Sequence, residues 1–417
     1  MLTYLIKTTE GLLSASIMLG LILSYSKTNF DKRGKRVTLI GIVAGLAASI
    51  VMSIMKNATS KIDTGRWNLR IFSLALIAFV LFLLFTINGV RSRTKKAGEV
   101  LSEAALGVLA FTVLLYALPD VWAYPYSFLV TEQTVLSTDF LYKLIGYLLG
   151  IILVFIVGLA IYQGSERMKA AQSGLLLKLV LLVNAVRQIT VGLQIMLAKR
   201  MIVSNHVLFS IAKFSSNHSD SFIYAAMILA VIIPIILWMR SFRVKEPYSN
   251  PAEHRKIRAK WRNTRRWATT AIITLFLCLM NMTVVKAIDN REVELSPVED
   301  AVVKDGNVYV SFEQVSDGHL HRFGYVTESG TQIRFIVIKK PNSSAYGIGL
   351  DACDICGETG YYEKDGQVVC KLCDVVMNIN TIGFKGGCNP IVISYSIMNG
   401  NIIVPVEGLL EYESEFK

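Results

Sequence analysis

The sequence predicts a polytopic α-helical membrane protein with about eight transmembrane helices, arranged seven plus one, and a C-terminal, mostly-β extracytoplasmic metal-binding domain. Three observations predict this class. First, 53% of the 417 residues are hydrophobic and 18% are charged, with a mean hydropathy of +0.47; a soluble domain carries about a quarter charged residues. Second, apolar runs near the roughly 20 residues that cross a bilayer recur eight times. Third, the pattern changes after Ala287. Residues 1–287 hold 33 Lys+Arg and 12 Asp+Glu, hence +21, whereas residues 288–417 hold 10 and 19, hence −9. These features exclude an ordinary soluble enzyme and a disordered or collagen-like chain.

The apolar segments are 4–25, 36–56, 70–90, 104–118, 141–163, 174–197, 220–240 and 266–286. Hydrocarbon offers the backbone no hydrogen-bond partner, so each is expected to be a helix. Orientation follows from the loops. Lys27, Lys32, Arg33, Lys35 and Arg36 follow the first segment. Arg91, Arg93, Lys95 and Lys96 follow the third, and Arg167 and Lys169 the fifth. The segment 241–265 is the most basic, with Arg255, Lys256, Arg258, Lys260 and Arg262. The alternate loop 119–140 has no Lys or Arg but has Asp120, Glu132 and Asp139. Positive residues stay in the cytoplasm. The N-terminus is then outside, and eight crossings return residues 288–417 to the outside. The expected organisation is a seven-helix domain 1–240, a basic cytoplasmic loop 241–265, an eighth helix 266–287 and a cysteine-rich domain 288–417. The positive charge reads as topology and gives no reason to expect a nucleic-acid partner. The first segment contains Glu10 and runs a full span, unlike a signal peptide. Val284-Val285-Lys286-Ala287 leaves cleavage of the C-terminal domain open as the lesser reading.

Ionisable residues inside spans are costly and therefore informative. Lys7, Glu10, Ser14 and Met18 share a face of the first helix. Asn184, Arg187/Gln188, Val191 and Gln194 share a side of the sixth. One reading is a transport path through Glu10, Arg187, Gln188 and Gln194. The other is a buried Glu10–Arg187 pair that fixes packing. Thr9-Glu10-Gly11-Leu12-Leu13, followed by Ala15, Leu19, Gly20, Leu21 and Ile22, resembles the first helix of the high-affinity iron permease family with its Arg-Glu-Gly-Leu-Glu motif. Thr190-Val191-Gly192-Leu193-Gln194 sits where the second copy would fall. The resemblance implies a seven-helix permease-like domain with its N-terminus outside. Glu10 is the one acid retained of four; Leu13, Val191 and Gln194 stand in place of the others. Carboxylates are the hard ligands that ferric iron needs, so this departure weighs against permeation.

Beyond Ala287, strands are expected at 307–312, 332–338, 368–369 and 391–393, bounded by Asp305-Gly306, Asp317-Gly318 and Ser329-Gly330 turns. Cys278 lies in the eighth apolar segment and reads as a small apolar residue. The other five cysteines cluster as Cys353-x-x-Cys356, Cys370-x-x-Cys373 and Cys388. Each CxxC knuckle aims two sulfurs at one centre, and a strand turn between them brings the pairs together. Candidates are an iron–sulfur cluster or iron, or zinc. Two disulfides are the alternative outside the cytoplasm. His319 and His321, expected to share a strand face, could bind iron, copper or haem. Met377 reads as core rather than as a soft ligand.

His319-Leu320-His321-Arg322-Phe323, Leu350-Asp351-Ala352-Cys353-Asp354-Ile355-Cys356-Gly357, Cys370-Lys371-Leu372-Cys373 and Gly386-Gly387-Cys388-Asn389-Pro390 resemble the FtrD-like membrane iron–sulfur family of bacteria. That resemblance implies a metal centre on Cys353, Cys356, Cys370 and Cys373, with His319, His321 and Cys388 completing or modulating it. It implies a multi-pass component of the plasma (inner) membrane of a bacterium. Its partners would be the lipid bilayer, an iron permease, periplasmic or extracellular iron-binding proteins and a membrane electron donor. The expected function is handling iron or electrons on the outer face for an iron uptake system. The alternatives are a permease in its own right or a zinc- or disulfide-stapled non-redox module. There is no Gly-rich phosphate loop and no Ser/His/Asp set, so no enzymatic reaction is assigned.

Overall fold

A computed structural model describes residues 1–59, 62–131, 138–203, 205–242, 246–289, 294–341, 343–364, 366–373, 375–384 and 388–416, with backbone alone at 88–95, 127, 129–131 and 139. Glu132, Gly386 and Gly387, and the side chains of Arg91, Arg93, Lys95 and Asp139, lie outside the described part. The chain divides into two compact units, Met1–Asn290 and Arg291–Lys417.

The first unit holds α1 (Leu2–Asn29), α2 (Lys32–Ala58), α3 (Thr64–Thr86), α4 (Asn88–Thr131), α5 (Thr138–Ser165), α6 (Ala170–Ala198), α7 (His206–Asn217), α8 (Ser219–Phe242) and α9 (Pro251–Met280). A π turn, Asn281–Val285, continues α9 into α10, Lys286–Asp289. Among the described residues, eight helical stretches are long and apolar enough to cross a membrane, one for each apolar segment of the sequence. Their starts follow local chemistry. Asp31 caps α2 by accepting from Gly34 N at 2.9 Å, and Asn250 caps α9 by accepting from Glu253 N at 2.8 Å, with Pro251 in the first turn.

Three boundaries differ from the expectation. Residues 91–103, expected as a loop, belong to α4, which also runs through Pro119 and Pro125; packed membrane helices can re-satisfy the groups a proline frees. The basic segment 241–265 is helical from Pro251 onward. The short helix α7 was not expected, because 12 residues are too few to span.

Small residues set the packing. A Cβ on Gly41 would stand 2.2 Å from the Gly107 carbonyl oxygen, so α2 and α4 meet backbone to backbone only with glycine there. Large apolar side chains such as Ile40 and Phe155 face outward, 66% and 68% exposed. Ion pairs close both ends of the bundle. Lys27–Glu166 (2.8 Å) and Arg33–Glu103 (2.9 Å) lie at one end. Lys56–Asp120 (3.0 Å) and Lys199–Asp63 (2.7 Å) lie at the other. Thr3 Oγ1 donates to Asp289 Oδ1 at 3.3 Å, and Asn281 Nδ2 to Leu5 O at 3.4 Å. The first helix therefore starts at the end of the bundle where the last one stops, as an even number of crossings requires.

The second unit contains β1 (Val302–Lys304), β2 (Asn307–Ser311), β3 (His321–Val326), β4 (Gln332–Lys339), β5 (Tyr346–Leu350), β6 (Tyr361–Lys364), β7 (Gln367–Cys370), β8 (Val376–Met377), β9 (Ser396–Met398), β10 (Asn401–Pro405) and α11 (Val406–Leu410). They form antiparallel sheets ordered β1-β2-β10-β9, β3-β4-β5 and β6-β7-β8. Residues 391–393, expected as a strand, are extended without forming one; Ile391 N donates to Ala352 O (3.0 Å) and Ile391 O accepts from Leu350 N (2.8 Å). Strand β4 organises the core. Its alternate residues Ile333, Phe335 and Val337 pack with Val308, Val310, Ile402 and Val404. Ile336 and Ile338 point the other way, onto Val368, Met377, Cys353 and Cys370. One strand thus carries a hydrophobic core on one face and the floor of the cysteine cluster on the other.

Candidate metal centre

The β6–β7 hairpin gathers the cysteines. Tyr361 pairs with Cys370 across it, and Lys371 N donates to Gly360 O at 3.0 Å, which ties the approach to β6 to the end of β7. The first knuckle is a tight turn. Gly357 N donates to Cys353 O at 2.9 Å, Cys353 N to Gly357 O at 3.2 Å, and Cys356 N to Cys353 Sγ at 3.1 Å.

The sulfurs of Cys353, Cys356 and Cys388 lie within 4.8 Å of one another, and so do those of Cys356, Cys370 and Cys373. Cys373 Sγ stands 3.6 Å from Cys388 Sγ. The two triads share Cys356. All six cysteines are free, and Cys278 is fully buried in the helical core. Cys353 and Cys370 are buried whereas Cys373 is exposed, so the cluster has a buried floor and an open rim.

A buried ionic buckle positions the first knuckle. Arg322 and Asp351, with side chains 1% and 0% exposed, pair at 2.7 Å. Arg322 also donates to Ser296 Oγ (2.6 Å) and to Tyr361 O. Asp351 accepts from Tyr361 N (2.9 Å) and Arg334 Nε (3.2 Å). Tyr361 Oη donates to Cys388 O at 2.6 Å. Asp351 stands two residues before Cys353, so one network fixes both the first knuckle and the Cys388 segment. Gly360 fits the network closely: its φ is +82°, and a Cβ there would stand 2.9 Å from Asp351 Oδ2. Sequence reasoning missed this role for Arg322, Asp351 and Tyr361.

The thiols differ in acidity. Burial, then hydrogen bonding to its neighbours, pushes Cys356 up, and burial pushes Cys370 up. The hydrogen bond with Cys373 pushes Cys388 up. At Cys373 burial opposes ionisation, but the Val375 N–H and the thiols of Cys370, Cys388 and Cys356 outweigh it and hold the group below the usual thiol range.

The two histidines take a different place. His319 lies before β3 rather than on it, exposed, with Nδ1 donating to Glu363 Oε1 at 2.9 Å. His321 opens β3, and its two ring nitrogens meet Glu299 Oε1 (2.9 Å) and Asp317 Oδ1 (2.8 Å). Among the described residues neither joins a three-ligand metal group. The Glu363 carboxylate raises His319. For His321 burial acts downward, but Asp317 and Glu299 outweigh it and raise it. Met377 packs in the core beneath the cluster, 6% exposed.

Residues 315–416 match the family model of the membrane iron–sulfur containing proteins described as FtrD-like. The match lies within the second compact unit. The matched stretch takes in the five clustered cysteines and both histidines. Comparisons with curated proteins and with solved structures give no match. The donor set fits a thiolate-held metal, with five sulfurs from three segments converging in two close triads.

In the helical unit the Glu10–Arg187 pair, one of the two readings of these residues, is not formed. Glu10 Oε1 and Asp220 Oδ2 each accept from Lys286 Nζ at 2.7 Å. Lys286 opens α10, and the stretch from Asn281 to Asp289 meets the start of α1. Gln194 turns to α7, donating to Ala212 O at 3.1 Å. Arg187 and Gln188 line a cleft beside Ser14.

Proposed function

We propose that this protein is a membrane-bound, iron–sulfur component of a bacterial iron uptake system, handling iron or electrons on the outer face of the membrane. The observation that carries the reading is the convergence of five thiols from three segments, within the stretch that matches the FtrD-like family model. Cys353, Cys356, Cys370 and Cys373 hold the group, and Cys388 stands as a fifth thiol against Cys373. When bound, such a group supplies one-electron transfer, with a potential tuned by hydrogen bonds to sulfur and by solvent exposure. The residues of this chain do the rest. The Cys356 N–H donates to the Cys353 sulfur, the Val375 N–H favours the Cys373 thiolate, the Arg322–Asp351 buckle holds the knuckle in place, and the exposed Cys373 rim leaves a side open to a partner.

Outer-face placement is supported by charge. Lys27, Arg33, Lys96 and Lys256 belong to the chain at one end of the bundle, while Glu10 and Asp220 stand toward the other, to which the chain leading into the acidic domain returns. A permease function in its own right is less well supported. Glu10 is engaged by Lys286, and a guanidinium such as Arg187 has no lone pair to offer a cation.

The test is iron accumulation in cells that depend on this chain under iron limitation, comparing the native protein with Cys370→Ser at equal membrane levels. The reading expects loss of accumulation with Cys370→Ser and proteolysis of the C-terminal domain from outside in spheroplasts. Unchanged accumulation, or a domain cut only after lysis, overturns it.

A further inference from the structure

Four polar side chains converge on one cleft inside the helical unit, and among the described residues none has a partner. The cleft is small and lies between α1, α4 and α6, adjoining α8. Ser14, Asn184, Arg187 and Gln188 line it. Among the described residues, none of these four side chains makes a hydrogen bond or ion pair. Gln188 is 4% exposed and Ser14 8% exposed. Neither is sealed from all space, since neither is among the wholly buried polar atoms left unpaired in the structure. Their polar atoms therefore open onto the cleft.

The charge of the cleft is unbalanced. No carboxylate lines it among the described residues. Glu10, four residues before Ser14 on α1, and Asp220 on α8 are both held by Lys286 at 2.7 Å. Arg187 stands eleven residues before the end of α6, about 16 Å along the helix axis. An unpaired guanidinium at that depth is costly, and arginine stays protonated. Its five N–H donors suit a planar or tetrahedral oxyanion, and Asn184, Gln188 and Ser14 add neutral donors beside it.

We propose that this cleft binds an oxyanion, a phosphate or carboxylate group, with Arg187 as the counter-charge and Gln188, Asn184 and Ser14 as hydrogen-bond donors. The group reaches the site either as a lipid headgroup or as a free anion. The same chemistry forbids Arg187 from acting as a ligand to iron. The inference does not rest on the metal centre.

The experiment uses the full chain in nanodiscs, followed by tryptophan-detected thermal unfolding. One arm compares phosphatidylcholine alone with phosphatidylcholine plus phosphatidylglycerol. The other titrates inorganic phosphate into the phosphatidylcholine discs. The proposal expects a rise of several degrees in at least one arm, lost in Arg187→Gln and partly kept in Arg187→Lys. A rise in the lipid arm alone identifies a headgroup, and a rise with inorganic phosphate identifies a free anion. Should Arg187→Gln fail to fold, Gln188→Ala and Ser14→Ala keep the charge, and each should weaken apparent affinity for the same probe about three- to tenfold, the value of one neutral hydrogen bond. No rise in either arm, or equal rises in the native protein and the variants, overturns the proposal.

Discussion

Two arginines mark the contrast between the two units. Arg322, in the β-domain, is 1% exposed, and each nitrogen of its guanidinium has a partner within the domain. Arg187, in the helical unit, is half-buried and has no partner among the described residues. Both pay the desolvation cost of a charge removed from water. In the β-domain the cost is met by Asp351 and by carbonyls, and the result is a rigid frame around the thiols. In the helical unit the compensating charge was assigned elsewhere, to Lys286, and the guanidinium is left for a group from outside. A satisfied buried charge builds a scaffold; an unsatisfied one advertises a site.

The strongest way to break the β-domain side of this comparison is to remove a ligand. Cys370→Ser should abolish metal retention, whereas Cys388→Ser should retain most of it; metal analysis of the purified full chain distinguishes them, and equal losses would make the fifth thiol an obligatory ligand. Next is the frame. Asp351→Ala leaves Arg322 buried without its counter-ion and should cost about 3–5 kcal/mol, read as faster hydrogen exchange from β3 to β6 with the helical unit unaffected. In the membrane unit the ion triad is the counterpart. Lys286→Met should cost about 1.5–3 kcal/mol, the worth of hydrogen bonds to charged groups, and adding Glu10→Gln should recover part of it. Additive losses in that double variant would deny the coupling seen at 2.7 Å.

The smallest effect is in pH. Carboxylates raise His319 and His321 in the folded domain. A raised folded-state value contributes stability that is fully present below the unfolded histidine value, about 6.5, and is lost as pH rises through the folded value. Exchange protection at 321–323 in metal-free protein should therefore fall as pH rises past the ordinary histidine range. Protection that grows over that window would contradict the Glu299–His321–Asp317 arrangement.

Much of this was legible in the sequence, for reasons that separate the two units again. The eight spans follow from hydrocarbon's demand for long apolar runs, a constraint that acts locally. The CxxC hairpin was legible because spacing alone brings the Cys356 and Cys370 ends together. Long-range choices were not legible. Nothing in the sequence says that Glu10 takes Lys286 rather than Arg187, because that depends on where α10 meets α1. Nor does the pattern of His319 and His321 reveal that Glu363, Glu299 and Asp317 fold back to hold them. The boundary at Pro251 was hidden by charge: the first turns of α9 are too basic to read as part of a span, yet Asn250 and Pro251 start a helix there.

The central claim is that the thiol cluster holds an iron–sulfur group. Its most direct test is iron, zinc and acid-labile sulfide analysis with EPR on the full chain purified without oxygen. The account predicts iron with sulfide and a reducible signal that disappears in Cys370→Ser. Zinc without sulfide, or metal-free protein with its cysteines paired as disulfides, would contradict it.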